Sequence, residues 1–156
     1  MKISLGSDHA GFDLKKEILK YFRDKDYLVS DEGTYSLQRS DYADYAKIVA
    51  EKVRDKVVDK GILICGTGIG MSIVANKIHK IRASLCVTEY MAEMSRLHND
   101  ANILCLGARL VENNQNILIL QKWLETEFEG DRHIKRLKKI TLLEQKIQKN
   151  FHPKKN

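Results

Sequence analysis

The chain has 156 residues, 43% of them hydrophobic and 31% charged, with a formal net charge of +6. This is the balance of one soluble globular domain with a substantial core, and no apolar run is long enough to cross a bilayer. Met1-Lys2-Ile3-Ser4-Leu5-Gly6 turns polar too soon to read as a signal peptide, so the expected location is cytoplasmic.

Residues 2–7 read as a first strand, and 12–24 as a helix with Leu14, Ile18, Leu19 and Phe22 on one face. A short strand is expected at 27–31, and a polar, glycine-containing loop at 32–40. Residues 42–57 carry Ala46, Val49, Ala50 and Val53 at helical spacing. The unbroken apolar run 61–65 reads as a strand buried on both faces. A helix over 70–78, a strand over 82–87, a helix over 89–97 and a fifth strand over 102–107 follow. Residues 112–128 are helical up to the break at Gly130. Strands alternating with helices predict a parallel, doubly wound sheet, with ligands beyond the carboxyl ends of its strands.

The last helix is expected over 131–148, with Ile134, Leu137, Ile140, Leu143 and Ile147 recurring every three or four residues. That stripe needs a partner, either the chain's own core or a neighbouring subunit. The neighbour is preferred, because the helix lies beyond a complete α/β unit. Residues 151–156 hold the only proline and read as a frayed end, so a single domain is assigned to 1–148 and a basic C-terminal tail to 149–156. Much of the positive charge sits late, at Arg132, Lys135, Arg136, Lys138, Lys139, Lys146, Lys149, Lys154 and Lys155. Few aromatics and no nucleic-acid motif accompany it, so it reads as a solvated helix face with an arginine or two turned toward an anionic ligand.

Cys65, Cys86 and Cys105 are odd in number and match no zinc spacing, which favours free thiols in a reducing compartment. Cys86 and Cys105 sit in apolar runs and read as small core residues. Cys65 differs, because Gly66-Thr67-Gly68-Ile69-Gly70 follows it directly and leads into a helix. Backbone N–H groups at a helix N-terminus favour anions, thiolates included. Cys65 is therefore a candidate nucleophile or base beside an anion cradle, or equally a buried thiol closing a strand.

The glycines spell GxGxG at the third strand, not GxGxxG at the first, and no GxxxxGK[ST] occurs, which disfavours a dinucleotide or triphosphate site. Asp8, His9, His98 and Asp100 are the groups that could gather round a metal, but no paired spacing supports one. Acid–base chemistry fits better. Cys65 would remove a proton, the N–H groups of 66–70 would hold the oxyanion, and His98 would move a second proton. Arg109, Arg132 and Arg136 would clamp a phosphate, the last two from one face of a helix. This set points to proton abstraction beside a carbonyl in a sugar phosphate. The plain structural reading makes His98 a helix cap and the arginines surface charge, and leaves His79 and His133 as surface residues.

These residues resemble the type B ribose-5-phosphate isomerase family, which also includes the galactose-6-phosphate isomerase subunits. The likeness runs through Gly6-Ser7-Asp8-His9-Ala10-Gly11, Gly33-Thr34, Ser40-Asp41-Tyr42, the stretch 61–72, Ala75-Asn76-Lys77, Ile81-Arg82-Ala83, His98-Asn99-Asp100-Ala101-Asn102, Gly107-Ala108-Arg109 and Gly130-Asp131-Arg132-His133 with Arg136. It implies a Rossmann-like three-layer α/β/α subunit, here with five parallel strands and an extra C-terminal helix. It also implies a homodimer, sometimes paired into a tetramer, with the site built from both chains. The implied reaction interconverts ribose 5-phosphate and ribulose 5-phosphate through a cis-enediolate, without metal or cofactor. On the family pattern Cys65 is the base, because the following helix carries no glutamate. His98 would help open the furanose, and Asp8 would hold sugar hydroxyls. Thr67 and Asn99 would assist at the substrate oxygens. The amides of Gly66, Gly68, Ile69 and Gly70 would hold the enediolate, His9, Arg109, Arg132 and Arg136 the phosphate, and Tyr42 would line the site. One departure is Ala43, where the family usually has proline. A six-carbon substrate, galactose or allose 6-phosphate, and a non-catalytic sugar-phosphate sensor are the alternatives. The full catalytic set favours the pentose enzyme.

Overall fold

The computed structural model describes residues 1–151 of the chain. Five strands, β1 (Lys2–Ser7), β2 (Leu28–Asp31), β3 (Lys60–Cys65), β4 (Ala83–Leu85) and β5 (Ile103–Gly107), form one sheet in the order β2-β1-β3-β5-β4. Every pairing is parallel, with Leu5 beside Ile62 and Cys65 beside Gly107. The described helices are α1 (Phe12–Phe22), α2 (Tyr42–Arg54), α3 (Ile69–Ala75), α4 (Glu89–Leu97), α5 (Asn113–Glu125) and α6 (Asp131–Phe151), with a 3-10 turn at His9–Gly11. None is long and apolar enough to cross a membrane.

Alternation along the strands builds two cores. Ile3, Leu5, Ile62, Ile64, Leu104 and Leu106 face Leu14, Ile18 and Phe22 of α1, Ala92 of α4, and Ile119, Leu120 and Trp123 of α5. Leu63, Cys65, Ile103 and Cys105 face Ala46, Val49, Ala50 and Val53 of α2 and Met71 and Ala75 of α3. Each large apolar side chain buried this way contributes about 1.5–3 kcal/mol before entropy is charged against it. The result is the expected three-layer α/β/α domain. The strand order reverses between β1 and β3, where open parallel sheets hold their ligands.

Several ends differ from expectation for local reasons. α2 stops at Arg54 because Lys56 adopts φ 57°. α3 stops at Ala75, where the Asn76 amide donates to Ser72 O and Ala83 O and accepts from Ala83 N–H, turning the chain into β4. β4 shrinks to three half-buried edge residues. α5 ends at Glu125 because Thr126 is extended. α6 runs three residues past Gln148, since nothing in 149–151 breaks a helix; the rest of the expected tail, 152–156, lies outside the described residues.

The amino ends of the strands carry a feature unrelated to the site. Lys60 lies 5.0 Å from the Trp123 ring centroid, and the Arg96 guanidinium lies 5.6 Å from the same centroid. Burial, then the charge on Arg96, pushes the Lys60 amine down to about 8. The folded state thus holds fewer protons than the unfolded one between pH 8 and the usual lysine range, so the penalty is full below pH 8 and disappears as pH rises to about 10.4. After allowance for solvent contact and for a lost cation–π contact, Lys60→Met is expected to stabilise the fold by about 1 kcal/mol at pH 7. Urea unfolding should show that gain narrowing toward pH 10. A constant difference across that range would contradict the burial cost.

Candidate active site

The end of β1 is tied to the end of β3. Asp8 N–H donates to Ile64 O (3.1 Å), and the next turn packs so tightly that a Cβ at Gly11 would lie 2.7 Å from Ile64 O. Asp8 Oδ1 accepts from the N–H groups of Ala10 (2.9 Å) and Gly11 (3.1 Å). The buried carboxylate is fixed in this way, and Oδ2 remains for a ligand.

His9 is held from both sides by Ser40. Its N–H donates to Ser40 Oγ (3.1 Å), and Ser40 N–H donates to His9 Nδ1 (3.2 Å). Nδ1 also lies 3.3 Å from Ser40 O, so the Ser40 backbone faces one edge of the ring. Asp8, His9, Arg39, Ser40, Asp41 and Tyr42 line a cleft of about 430 Å³, the size that suits a small ligand.

Cys65, 5% exposed, ends β3. Gly68, at φ 73°, donates its N–H to Cys65 Sγ (3.1 Å) and caps α3. Ala108 N–H donates to Cys65 O (2.9 Å) and Arg109 N–H to Gly66 O (2.9 Å), so the loop after β5 wraps the glycine turn. The Arg109 stem passes over Gly66, since a Cβ there would meet Arg109 Cδ at 3.5 Å and Ala10 Cβ at 3.7 Å. Tyr42 lies against Gly70, where a Cβ would come within 2.7 Å of its ring. Thr67 Oγ1 accepts from Ile69 N–H (3.3 Å). Asp8, His9, Tyr42, the 66–70 turn and Arg109 therefore gather around one thiol. The other two cysteines stay in the core: burial pushes Cys105 well above, and Cys86 above, the usual thiol range.

The other expected residues gather elsewhere. His98 caps α4, and its ring stacks on His133 with centroids 4.3 Å apart and planes 12° from parallel. Arg132 Nε donates to His133 Nε2 (3.2 Å), and Arg136 Nη1 lies 3.5 Å from His133 Nδ1. Glu129 Oε2 lies 3.4 Å from His133 Nε2 and 3.8 Å from His98 Nε2. Asn99 adjoins His98, its carbonyl accepting from Arg82 Nε (2.9 Å). Among the described residues no hydrogen bond, ion pair or ring contact joins this group to the one around Cys65.

Three readings change. His133 is 1% exposed and packed against His98, not a surface residue. Its pKa is lowered by burial first, then by the charges of His98, Arg132 and Arg136, which together outweigh Glu129. His79 is half-buried, with Nδ1 3.1 Å from Glu144 Oε2, and pins the far end of α6. Asp100 is bound by Arg82 (2.8 Å) and Arg96 (2.7 Å), so it does not join Asp8 and His9. The atoms of His98, Glu129 and His133 that could ligate a metal lie within 4.8 Å of one another, but parallel rings and two flanking arginines oppose a dication there. Sequence reasoning missed Arg39, Ser40 as the clamp on His9, and Glu129. Arg39 directly precedes the recognised Ser40-Asp41-Tyr42, whereas Glu129 had no signal beyond the neighbouring Gly130.

The expected site residues thus fall into two separate groups in the single chain, one around a thiol and one around paired imidazoles with arginines. The family profile described as Ribose/Galactose Isomerase matches residues 3–140. Ribose-5-phosphate isomerase B of Escherichia coli is 47% identical over 145 residues, covering 93% of this chain and 97% of that protein. The solved structure of Clostridium thermocellum ribose-5-phosphate isomerase B superposes with a TM-score of 0.92 at 49% identity, covering 94% of this chain and 99% of that one. The Mycoplasma genitalium ribose-5-phosphate isomerase B structure with bound ribulose-5-phosphate has a TM-score of 0.88 at 42% identity, covering 92% and 96%. The family match over residues 3–140 and a relative 47% identical over 93% of the chain lead to one assignment: the chain belongs to the ribose/galactose isomerase family.

Proposed function

We propose that this protein is an aldose–ketose isomerase that interconverts ribose 5-phosphate and ribulose 5-phosphate. The observation that carries the reading is the Cys65 thiol at the sheet's switch point, 3.1 Å from the Gly68 N–H. His98 protonates the furanose ring oxygen and opens the sugar. The Cys65 thiolate takes the proton from C2 and returns it to C1. The charge of the cis-enediolate falls on the amides of Gly66, Gly68, Ile69 and Gly70, of which Gly68 and Ile69 turn to it from Cys65 Sγ and Thr67 Oγ1. Asp8 Oδ2 holds hydroxyls, Thr67 and Asn99 assist at the reacting oxygens, and Tyr42 closes the wall. His9 joins Arg109, Arg132 and Arg136 on the phosphate.

The assignment needs both half-sites at one substrate, which a second copy of the chain supplies. Ile69 and Ile73 on α3, with Ile134, Ile140, Leu143 and Ile147 on α6, are 42–59% exposed in the single chain. An unpartnered stripe of this kind supports a homodimer, alone or paired into a tetramer. Three unpaired thiols suit a reducing, cytoplasmic setting.

The purified protein is expected to turn over ribose 5-phosphate in chelator-treated buffer. Its kcat/KM should exceed that for allose 6-phosphate or galactose 6-phosphate. No turnover of the pentose would overturn the activity, and a reversed ratio would move the substrate to the six-carbon class.

A further inference from the structure

We propose that Glu129 is a positioning residue for ring opening: its carboxylate, with the buried His133 ring as a backstop, holds the His98 imidazole in the orientation that protonates the sugar's ring oxygen. The proposal rests on the reading of His98 as the ring-opening acid.

The main chain places Glu129 before its side chain does anything. Glu129 N–H donates to Leu97 O (3.1 Å), which pins the segment between α5 and α6 to the end of α4. From there Oε2 reaches His133 Nε2 (3.4 Å) and His98 Nε2 (3.8 Å). The His133 ring is enclosed. It is 1% exposed, and its two nitrogens face Arg132 Nε and Arg136 Nη1. Burial and the adjacent positive groups disfavour its protonated form. His98 is thus confined on one face by a stacked ring 4.3 Å away and on its Nε2 edge by a carboxylate. Its Nδ1 has no protein partner among the described residues. Arg132 and Arg136, the two arginines assigned to phosphate, lie against the same His133 ring.

In the opening step the C1–O4 bond breaks and O4 keeps the electron pair. O4 takes the proton from His98 Nδ1–H. The anomeric hydroxyl becomes the C1 carbonyl and gives its proton to water, and solvent reprotonates His98. A ring free to rotate would present that proton in only a fraction of encounters, and small misplacements cost large factors in rate.

Ribulose 5-phosphate separates this step from the proton transfer at carbon. Its C5 oxygen carries the phosphate, so it cannot close a five-membered ring and is always open-chain. Exchange of its C1 hydrogen with deuterated solvent requires Cys65 but no ring chemistry. Glu129→Gln is expected to lower turnover of ribose 5-phosphate roughly thirtyfold while C1 exchange in ribulose 5-phosphate stays within about threefold of wild type. Glu129→Asp should recover part of the loss. His98→Asn should show the same split, larger. Equal losses of turnover and exchange in Glu129→Gln, or no loss of either, would overturn the proposal. Equal losses in His98→Asn would instead remove the ring-opening role of His98 itself. Glu129 is 41% exposed and its backbone bond to Leu97 survives substitution, so the variants are expected to fold.

Discussion

Cys65→Ala is expected to lower kcat for ribose 5-phosphate about a thousandfold, the middle of the range for losing a positioned base. The thiol ends the central strand, and no other proton acceptor is contributed by the turn that follows it. The neighbouring cysteines cannot replace it. Cys105 is fully buried, Cys86 is enclosed beside Ser84 and Ser95, and burial favours the protonated form of both. Binding should change little, because the phosphate contacts and the Asp8 carboxylate are untouched. The split between kcat and binding is therefore diagnostic: a single-turnover rate falls by three orders of magnitude while ligand affinity moves by less than about threefold. The fold should survive, since removing one sulfur at the edge of the core costs about 1 kcal/mol. C1 exchange in ribulose 5-phosphate should vanish in this variant, the opposite of what is expected for Glu129→Gln. An alanine variant that keeps a tenth of the wild-type rate would mean that another group removes the proton.

The sheet and the first half-site were legible because the signals are local. The unbroken run Ile62-Leu63-Ile64 specifies a strand with helices on both faces, and Gly66, Gly68 and Gly70 mark the turn that frames the thiol. The regular alternation of strand and helix then implies a parallel sheet, and the parallel sheet places all the loops that follow its strands on one edge. What stayed illegible depends on contacts between distant residues. His133 looks like any polar residue on a basic helix, yet the approach of α6 to the end of α4 buries it completely. Ser40 and His9, 31 positions apart, clamp each other through atoms every serine and histidine possess, so no residue type marks the pair. The apolar stripe of α6 was visible, but periodicity alone does not say what covers it. Helix ends were misjudged where one residue adopts an unusual backbone angle, as Lys56 does, or where a single side chain redirects the chain, as Asn76 does.

Gly68→Ala is expected to damage fold and reaction together, and the reasons are separable. At φ 73° an added Cβ costs about 1–2 kcal/mol in backbone strain alone. That Cβ would also lie 2.6 Å from Leu85 Cδ1 and 3.0 Å from both the carbon and the oxygen of the Leu106 carbonyl. The leucine tip can turn aside, but the carbonyl belongs to the buried strand β5 and cannot. Overpacking of this kind adds roughly 1–3 kcal/mol, so the total is about 3 kcal/mol, or a fall in Tm of about 6–12 °C for a chain of this length. The same movement withdraws the N–H that faces Cys65 Sγ, and loss of a fixed donor to a developing anion costs roughly a hundredfold or more in kcat. Gly66→Ala provides the contrast. Its Cβ would meet nothing closer than 3.5 Å, and its φ lies outside the left-handed region, so its Tm should stay within about 2 °C of wild type. Calorimetry on the two variants decides the matter. Equal losses of stability would mean that the turn needs two small residues and nothing more, whereas a loss confined to Gly68 ties the left-handed backbone at that one position to the donor that the thiol requires.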